Sequence, residues 1–343
     1  MGIVNSLKFD YHSGAIITDE EFFIGGRRRV LTADNLQFLL TDEISNELDL
    51  VVIYGGAGNI SVTNQIINDI KNVLLKIYSE YKKSSGTGKI FRTVEDVARI
   101  TLSIFQNYSR DYVNRKLNGL FGISIDDFNR GHFLKDENKI EITEEKIVSK
   151  AMDIILLKPD YMKDISEIEG LIIGTDSQYG FNTFDFYGGM THLYVSTSMY
   201  NSIGSGSTTT SLAFSELINS LTLEERRNGV DKIFGLTELI RITNQTALKN
   251  SEIGGYYDLI YLNGKSDNQS GNCIEIKGEL SQFIKETVTA FDHNFISKEL
   301  CYALIDNYIF GQKKFDPVEA DKVLFGNASD PDKLELVLRG YKF

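Results

Sequence analysis

The stretch Ile173-Gly174-Thr175-Asp176, continued by Tyr187-Gly188-Gly189 and by Ser202-Ile203-Gly204-Ser205-Gly206-Ser207, reads as strands punctuated by glycine turns. Apolar or alternating runs at Leu171 to Gly174, Phe184 to Tyr187 and His192 to Ser196 have the length and period of strands. The glycine-serine turn then gives way to a helical spacing through Leu212, Phe214, Leu217 and Leu221.

Toward the N-terminus the first sixty residues are also β-like, with runs at Ile3 to Phe9, Ala15 to Ile24, Leu36 to Leu40 and Leu50 to Tyr54. Gly55-Gly56-Ala57-Gly58-Asn59 lacks the Lys-Ser/Thr pair that grips phosphate, so it predicts a tight strand-to-helix turn. Beyond it Ile66, Ile67, Ile70, Val73, Leu74, Ile77 and Tyr81 recur at three- and four-residue steps, a helix that Ser84-Ser85-Gly86-Thr87-Gly88 ends. Thr93 and Asp96 make a capping-box pattern for a partner helix carrying Val97, Ile100, Leu102, Ile104 and Phe105 and ending near Tyr108.

Toward the C-terminus, Thr222-Leu223-Glu224-Glu225 is a capping box for a long helix through Val230, Ile233, Leu236, Leu239 and Ile240. Gly254-Gly255 leads into a strand over Tyr256 to Leu262, and the tail from Lys277 predicts a helix of about thirty residues.

The grouping of strands, two helices, strands, two helices, strand and helix is neither the βαβ alternation of a dinucleotide-binding domain nor an all-β sandwich. It predicts an α+β fold in which two antiparallel sheets pack on each other, each covered outside by a helix pair: a four-layer α-β-β-α sandwich. Asp111 to Glu167 is polar and charge-mixed, with a helix expected at Glu144 to Leu156. The chain therefore divides into a core of residues 1–108 and 166–265, a mid-chain insertion at 109–165 and a C-terminal helical extension at 266–343.

Taken in order, these segments resemble the proteasome β-subunit family of N-terminal-nucleophile (Ntn) hydrolases. Ser13-Gly14-Ala15-Ile16-Ile17-Thr18-Asp19 is similar to the family's glycine-turned hairpin ending in an aspartate, with Gly25 where the next loop carries glycine. Val51-Val52-Ile53-Tyr54-Gly55 is similar to the strand that ends in glycine before the first helix. Ile173 to Ser207 follows the family's G-x-D, G-G and G-S-G-S run, and Gly254-Gly255 resembles the glycine pair before the late core strand. The resemblance covers about residues 1–108 and 166–265. It implies the Ntn sandwich, an oligomer with itself or related subunits, and a protein or peptide partner.

In that family the nucleophile is the first residue of the mature chain, and its own amine serves as general base. A buried Lys keeps amine and hydroxyl poised, and an Asp holds the Lys. Nucleophile, Asp and Lys stand at equal intervals. With Asp19 matched to the Asp, sixteen residues back is Ile3 and sixteen forward is Asn35. Ile3 has no nucleophilic atom, and Asn35 has no charge to lower an amine's pKa. The family's second aspartate falls on Asn250 and a supporting serine on Ile253, while Ser205 matches the serine of the glycine-serine turn. Only Asp19 and Ser205 keep their residue type, and both also suit plain structural uses as strand-end aspartate and turn serine. Ser13 and Thr18 are the hydroxyls that cleavage near the hairpin would expose, but either cut removes the first strand.

The resemblance thus implies a non-catalytic proteasome-like subunit, a structural or interaction component of an oligomer. The alternative is an active Ntn-type amidohydrolase, peptidase or peptide ligase with altered catalytic residues, similar to the archaeal connectases.

Composition narrows the partners. The 343-residue chain carries 36 Lys+Arg against 48 Asp+Glu, a net charge of −12. Arg27-Arg28-Arg29 is its one basic cluster, read as a solvated run in a loop, so neither nucleic acid nor an anionic membrane is an expected partner. Cys273 and Cys301 are too few for a disulfide framework and fit a reducing cytoplasm. His12, His132, His192 and His293 are scattered without metal-ligand spacing, so no metal or cofactor is expected. No apolar run reaches the roughly 20 residues that span a bilayer.

Overall fold

The computed structural model describes residues 2–19, 21–24, 27–30, 35–135, 138–187, 194–195, 198–251, 253–264, 273–311 and 314–340. Gly25, Gly188, Gly189 and His192, singled out in the sequence, lie outside them.

The first hairpin joins β1 (Ile3–Lys8) to β2 (Ser13–Asp19). Asp10 closes its turn, because Oδ1 accepts the N–H groups of His12 at 2.6 Å and Ser13 at 2.8 Å. The single strand expected over Ala15 to Ile24 is divided into β2 and β3 (Glu21–Ile24). Arg27-Arg28-Arg29, expected in a loop, belongs instead to β4 (Arg27–Val30), antiparallel to β3 across a two-residue connection. Next come β5 (Leu36–Phe38), the short helix α1 (Asp42–Leu48) and β6 (Leu50–Ala57).

Of the glycine run expected as a strand-to-helix turn, Gly55, Gly56 and Ala57 instead end β6, and Gly58-Asn59 alone makes the turn. Gly58 takes φ +102°, where a Cβ would stand 2.1 Å from the Glu167 carbonyl oxygen, and Asn59 caps α2 (Ile60–Lys83). The Thr93–Asp96 capping box opens α3 (Val94–Phe121). This helix passes Tyr108, where the sequence reading ended it, because its apolar period continues through the buried Val113 and Leu117. Then follow α4 (Ile125–Arg130), a hairpin of β7 (His132–Lys135) and β8 (Asn138–Glu141), α5 (Glu145–Ile155) and α6 (Pro159–Ser166).

The glycine-rich stretch supplies β9 (Glu169–Asp176), β10 (Gly180–Tyr187), β11 (Tyr194–Val195), β12 (Tyr200–Gly204) and α7 (Ser207–Ser220). The single helix expected from Thr222 is two: α8 (Leu223–Asn228), which Thr222 caps, and α9 (Lys232–Lys249), which Asp231 caps. Gly229 separates them at φ +98°, and the Val230 N–H donates to Phe9 O at 2.7 Å, so this point is tied to the end of β1. β13 (Tyr257–Asn263) and β14 (Cys273–Ile276) follow. The thirty-residue helix expected in the tail is α10 (Gly278–Asp292) and α11 (Lys298–Ile305), the latter running into a π-helical turn at Asp306–Phe310. Asn294 at φ +61° and the cap Ser297 break it, and α12 (Pro317–Gly326) and α13 (Pro331–Arg339) complete the described chain.

Among the described residues two five-stranded sheets result, ordered β12-β1-β2-β13-β14 and β11-β10-β9-β6-β5, with antiparallel neighbours throughout. The period of two sorts their side chains. Val4, Ile16, Ile203 and Ile260 of the first sheet cluster with Ile53, Leu171, Ile173 and Phe181 of the second. The alternate residues Leu7, Ala15, Ile17 and Leu259 cluster with Phe214, Leu236, Leu239 and Ile284 from α7, α9 and α10. Val52, Tyr54, Ile172 and Phe186 of the second sheet cluster with Ile66, Ile70, Val97 and Phe105 from α2 and α3. Strands buried on both faces leave little room for a polar side, so β2 carries the apolar run Ala15-Ile16-Ile17, and the buried Asn5 of β1 is hydrogen-bonded to Thr243 and Ser202. The fold is mixed α/β, built on antiparallel sheets.

Candidate functional site

The residues matched to the Ntn site converge where β1 begins and β2 ends. Asp19 is fully buried as the last residue of β2. Its Oδ1 accepts the main-chain N–H of Ile3 at 2.9 Å, and its Oδ2 accepts the N–H of Gly254 at 3.1 Å. The Asn35 side-chain amide donates to the Asp19 main-chain oxygen at 2.6 Å rather than to the carboxylate. The sixteen-residue intervals read from the sequence are therefore real spatial relationships on both sides of Asp19.

Ile3 is held from several directions. Its carbonyl accepts the Thr18 hydroxyl at 2.8 Å, and its side chain is fully buried. Gly204, at φ +95°, lets β12 approach so closely that a Cβ there would lie 2.1 Å from Gly2 O. The Ser205 N–H donates to that same oxygen at 3.2 Å, which brings the glycine-serine turn against the start of β1. One residue on, a Cβ at Gly206 would stand 2.4 Å from Ile253 Cδ1 and 2.8 Å from Ile3 Cδ1. Ile253 thus lies beside Ile3 at the turn, and both are apolar and buried. Asn250 is the C-cap residue of α9, and its carbonyl accepts the Ile253 N–H at 3.1 Å.

The arrangement fixes backbone. Ile3 N is a peptide nitrogen, bonded to Gly2, so the atom that meets the carboxylate has no basic lone pair and donates its one hydrogen. Ser13 and Thr18 are buried within β2, and the Thr18 hydroxyl is spent on Ile3 O. Cleavage before either would remove β1, which lies between β12 and β2 in its sheet.

Sequence reasoning missed two neighbours of this site. Tyr257 pairs with Asp19 in the strand register, and burial together with the negative charge of Asp19 pushes its phenol well above the ordinary tyrosine range. Lys285 of α10 donates from Nζ to Gly255 O at 2.9 Å and lies 4.3 Å from the Tyr257 ring centroid. Gly254-Gly255 was the one available signal, since a glycine pair before a strand marks close backbone approach; nothing in the pattern ties Lys285 to it. The three described histidines stay apart: His12 stacks edge-on against Tyr11, His132 Nδ1 lies 3.1 Å from Arg130 O, and His293 follows α10. Among the described residues no group of three or more His, Cys, Asp and Glu is placed to hold a metal ion, and no helix is long and apolar enough to cross a membrane.

No protein-family model matches the sequence, and no curated protein matches it. Among solved structures, Anbu (ancestral beta-subunit) from Yersinia bercovieri superposes with a TM-score of 0.53 at 10% identity, covering 92% of this chain and 99% of that one. The Gly-1 mutant of Anbu from Hyphomicrobium sp. strain MC1 gives a TM-score of 0.52 at 10% identity, covering 92% of this chain and 100% of its own. At such identity the likeness is one of fold, and it spans almost the whole length of both chains. The fold that the sequence resemblance implied, that of a proteasome-like β-subunit, is the fold these neighbours share with this chain.

Proposed function

We propose that this chain is a proteasome-like subunit without Ntn catalysis, acting as a structural or interaction component of an oligomer of itself or related subunits. The observation that carries the reading is the main-chain N–H of Ile3 on Asp19 Oδ1 at 2.9 Å. At the position matched to the nucleophile stands a buried aliphatic residue, and the carboxylate serves as a clamp on β1 and on the loop before β13. Asn35 in place of a lysine and Ile253 in place of a serine agree with it. A catalytic unit that lacks its nucleophile loses several orders of magnitude in rate, whatever else is retained.

The three apolar clusters support reading the two sheets as the inner layers of a four-layer α-β-β-α sandwich. Residues 109–165 are read as an insertion with a small core of its own, formed by Val113, Leu117, Ile123, Ala151, Ile154 and Met162. Residues 266–343 are read as an extension anchored by β14 on the edge of the first sheet and by α10 across it. Val73 and Leu75 on α2 and Leu212 on α7 are exposed, in keeping with an outer helical surface that meets other subunits. A cytoplasmic place of action completes the reading.

Incubation with a peptide epoxyketone, followed by intact-mass measurement, tests the absence of Ntn chemistry. The expected result is an unmodified chain and no cleavage of fluorogenic peptides. A stoichiometric adduct mapped to Ser13, Thr18 or Ser205 would replace this reading with the amidohydrolase or ligase alternative. Light scattering tests the assembly: a mass near 39 kDa across micromolar concentrations would remove the oligomer from the proposal.

A further inference from the structure

A cavity of about 400 Å³ opens between the ends of the two sheets. Gly264, Cys273 and Glu275 reach it from the side of the first sheet, Phe38, Val51 and Thr175 from the second, and α1 closes one flank. The strand register sets it apart from the Asp19 site: β13 meets Asp19 at Tyr257 and Ser13 at Asn263, and Gly264 comes one residue further on. The volume falls within the range of about 300–1,000 Å³ typical of small-molecule sites.

Thr175 is the polar group on the inner wall. It continues the alternation of Leu171 and Ile173, whose side chains lie in the core between the sheets, and it is only 3% exposed. Its hydroxyl has no hydrogen bond among the described residues. Unpartnered polar atoms sealed from solvent occur elsewhere, at Thr101 and Ser166 for example, but Thr175 is not one of them, so its hydroxyl stays open to the cavity that it lines. That oxygen offers two lone pairs.

Charge selects what it would meet. The lining carries Asp42, Asp49, Asp176 and Glu275 and no cationic residue. Asp176 accepts the main-chain N–H groups of Val94, Gln178 and Tyr179 at 2.6 to 3.0 Å, and Glu275 is paired with Lys277 at 3.0 Å. Asp42 and Asp49 have no ion pair among the described residues. Even with Lys277 counted, four carboxylates face one ammonium. Cys273 registers the imbalance: burial, and then the charges of Glu275 and Asp42, push its thiol up to about 12 against the opposing effect of Lys277. No described group of His, Cys, Asp and Glu is placed to hold a metal ion, which favours a cation that binds through N–H groups. A primary ammonium has three such donors and no acceptor, matching the Thr175 oxygen and the carboxylates at once, and Phe38, Leu40 and Val51 suit an unbranched apolar stem.

We propose that this cavity binds a primary alkylammonium group, its stem between the sheets, an N–H on Thr175 Oγ1 and its charge against Asp42 and Asp49. The probe is n-pentylamine, compared with n-pentanol, and binding to the full chain is followed by NMR of the Val51, Thr175 and Gly264 main-chain amides. Saturable shifts are expected, with at least roughly tenfold weaker binding of the alcohol, because hydrogen bonds to charged groups are the stronger ones. Asp42→Asn combined with Asp49→Asn should bring the amine down to the level of the alcohol and leave the alcohol unchanged. Both positions are exposed, and asparagine tolerates the positive φ of Asp49. Thr175→Val should weaken the amine roughly tenfold. Cadaverine and Nα-acetyl-lysine N-methylamide then name the source: tighter binding of the first assigns the site to a free diamine, tighter binding of the second to a lysine side chain. Absence of saturable shifts would overturn the proposal, as would equal binding of amine and alcohol, or amine binding that the double asparagine variant leaves unchanged.

Discussion

Ile3 and Asp19 are joined main chain to side chain: the Ile3 N–H meets Asp19 Oδ1 at 2.9 Å inside a fully buried environment. The same carboxylate holds Gly254 through its other oxygen, so one side chain ties the first residue of β1 to the loop that precedes β13. Both interactions are charge-assisted and neither partner has water as an alternative.

Asp19→Ala should destabilise the fold by about 3 kcal/mol, since it leaves two buried main-chain N–H groups without this acceptor at roughly 1–3 kcal/mol each. Urea denaturation should show a lower midpoint with an unchanged slope. A loss below about 0.5 kcal/mol, the range of ordinary surface substitutions, would mean that Asp19 is not a clamp.

Gly206→Ala should cost about 1–3 kcal/mol by overpacking, because the added methyl would meet Ile253 Cδ1 at 2.4 Å and Ile3 Cδ1 at 2.8 Å. Ile253→Val removes the closer of these two atoms. The double variant should therefore be more stable than the sum of the single losses, and strict additivity would refute the direct contact.

The glycine-serine turn was legible because a tight backbone approach leaves a glycine in the sequence, whereas the Asp19 intervals were implied by the family resemblance alone. The β3–β4 pairing was hidden by its arginines, whose charge mimics a loop. The break between α8 and α9 was hidden because the capping box at Thr222 is followed directly by the apolar spacing from Val230 onward, and the positive φ of Gly229 leaves no trace beyond its residue type. The approach of Lys285 on α10 to Gly255 and the Tyr257 ring could not be read at all, because packing brings that helix to the start of β13 and Lys285 fits the pattern of its own helix.

Tyr257→Phe should stabilise the protein by about 1 kcal/mol, since it removes a buried hydroxyl that has no partner among the described residues while keeping the ring under Lys285. The same urea experiment reads the gain. A loss of similar size would show that the hydroxyl has a buried partner in solution, such as water.

Replacing the β7–β8 hairpin, residues 132–141, with a short glycine-serine turn should leave the thermal midpoint within a few degrees. Every residue of β8 is exposed, and the core of the insertion is formed by Val113, Leu117, Ala151 and Ile154 from α3 and α5, which the hairpin touches through the partly buried Phe133 of β7. By the usual scaling, a shift of more than about 5 °C would correspond to well over 1 kcal/mol in a chain this long and would place the hairpin in the stabilising structure.

The two thiols should be almost inert at neutral pH and should make the fold sensitive to alkali. Burial pushes Cys301 up to about 12, and burial with the charges of Glu275 and Asp42 pushes Cys273 up to about 12. Both are raised above the unfolded value, so the folded chain holds these protons more tightly than the unfolded one. Their contribution to stability is fully present below about pH 8.5 and is lost as pH rises through 12. Burial acts in the same direction on Tyr261 and Tyr302, each pushed up to about 12. The urea midpoint should be flat from pH 7 to 8.5 and fall steadily above pH 9. Alkylation gives an independent reading, because the thiolate is the nucleophile. At pH 8 a thiol of pKa about 12 is ionised to about one part in ten thousand, against roughly a quarter for a free cysteine. Iodoacetamide should therefore modify Cys273 in the folded chain at least about a hundredfold more slowly than glutathione, and modification at a comparable rate would show that the thiol is neither buried nor shifted.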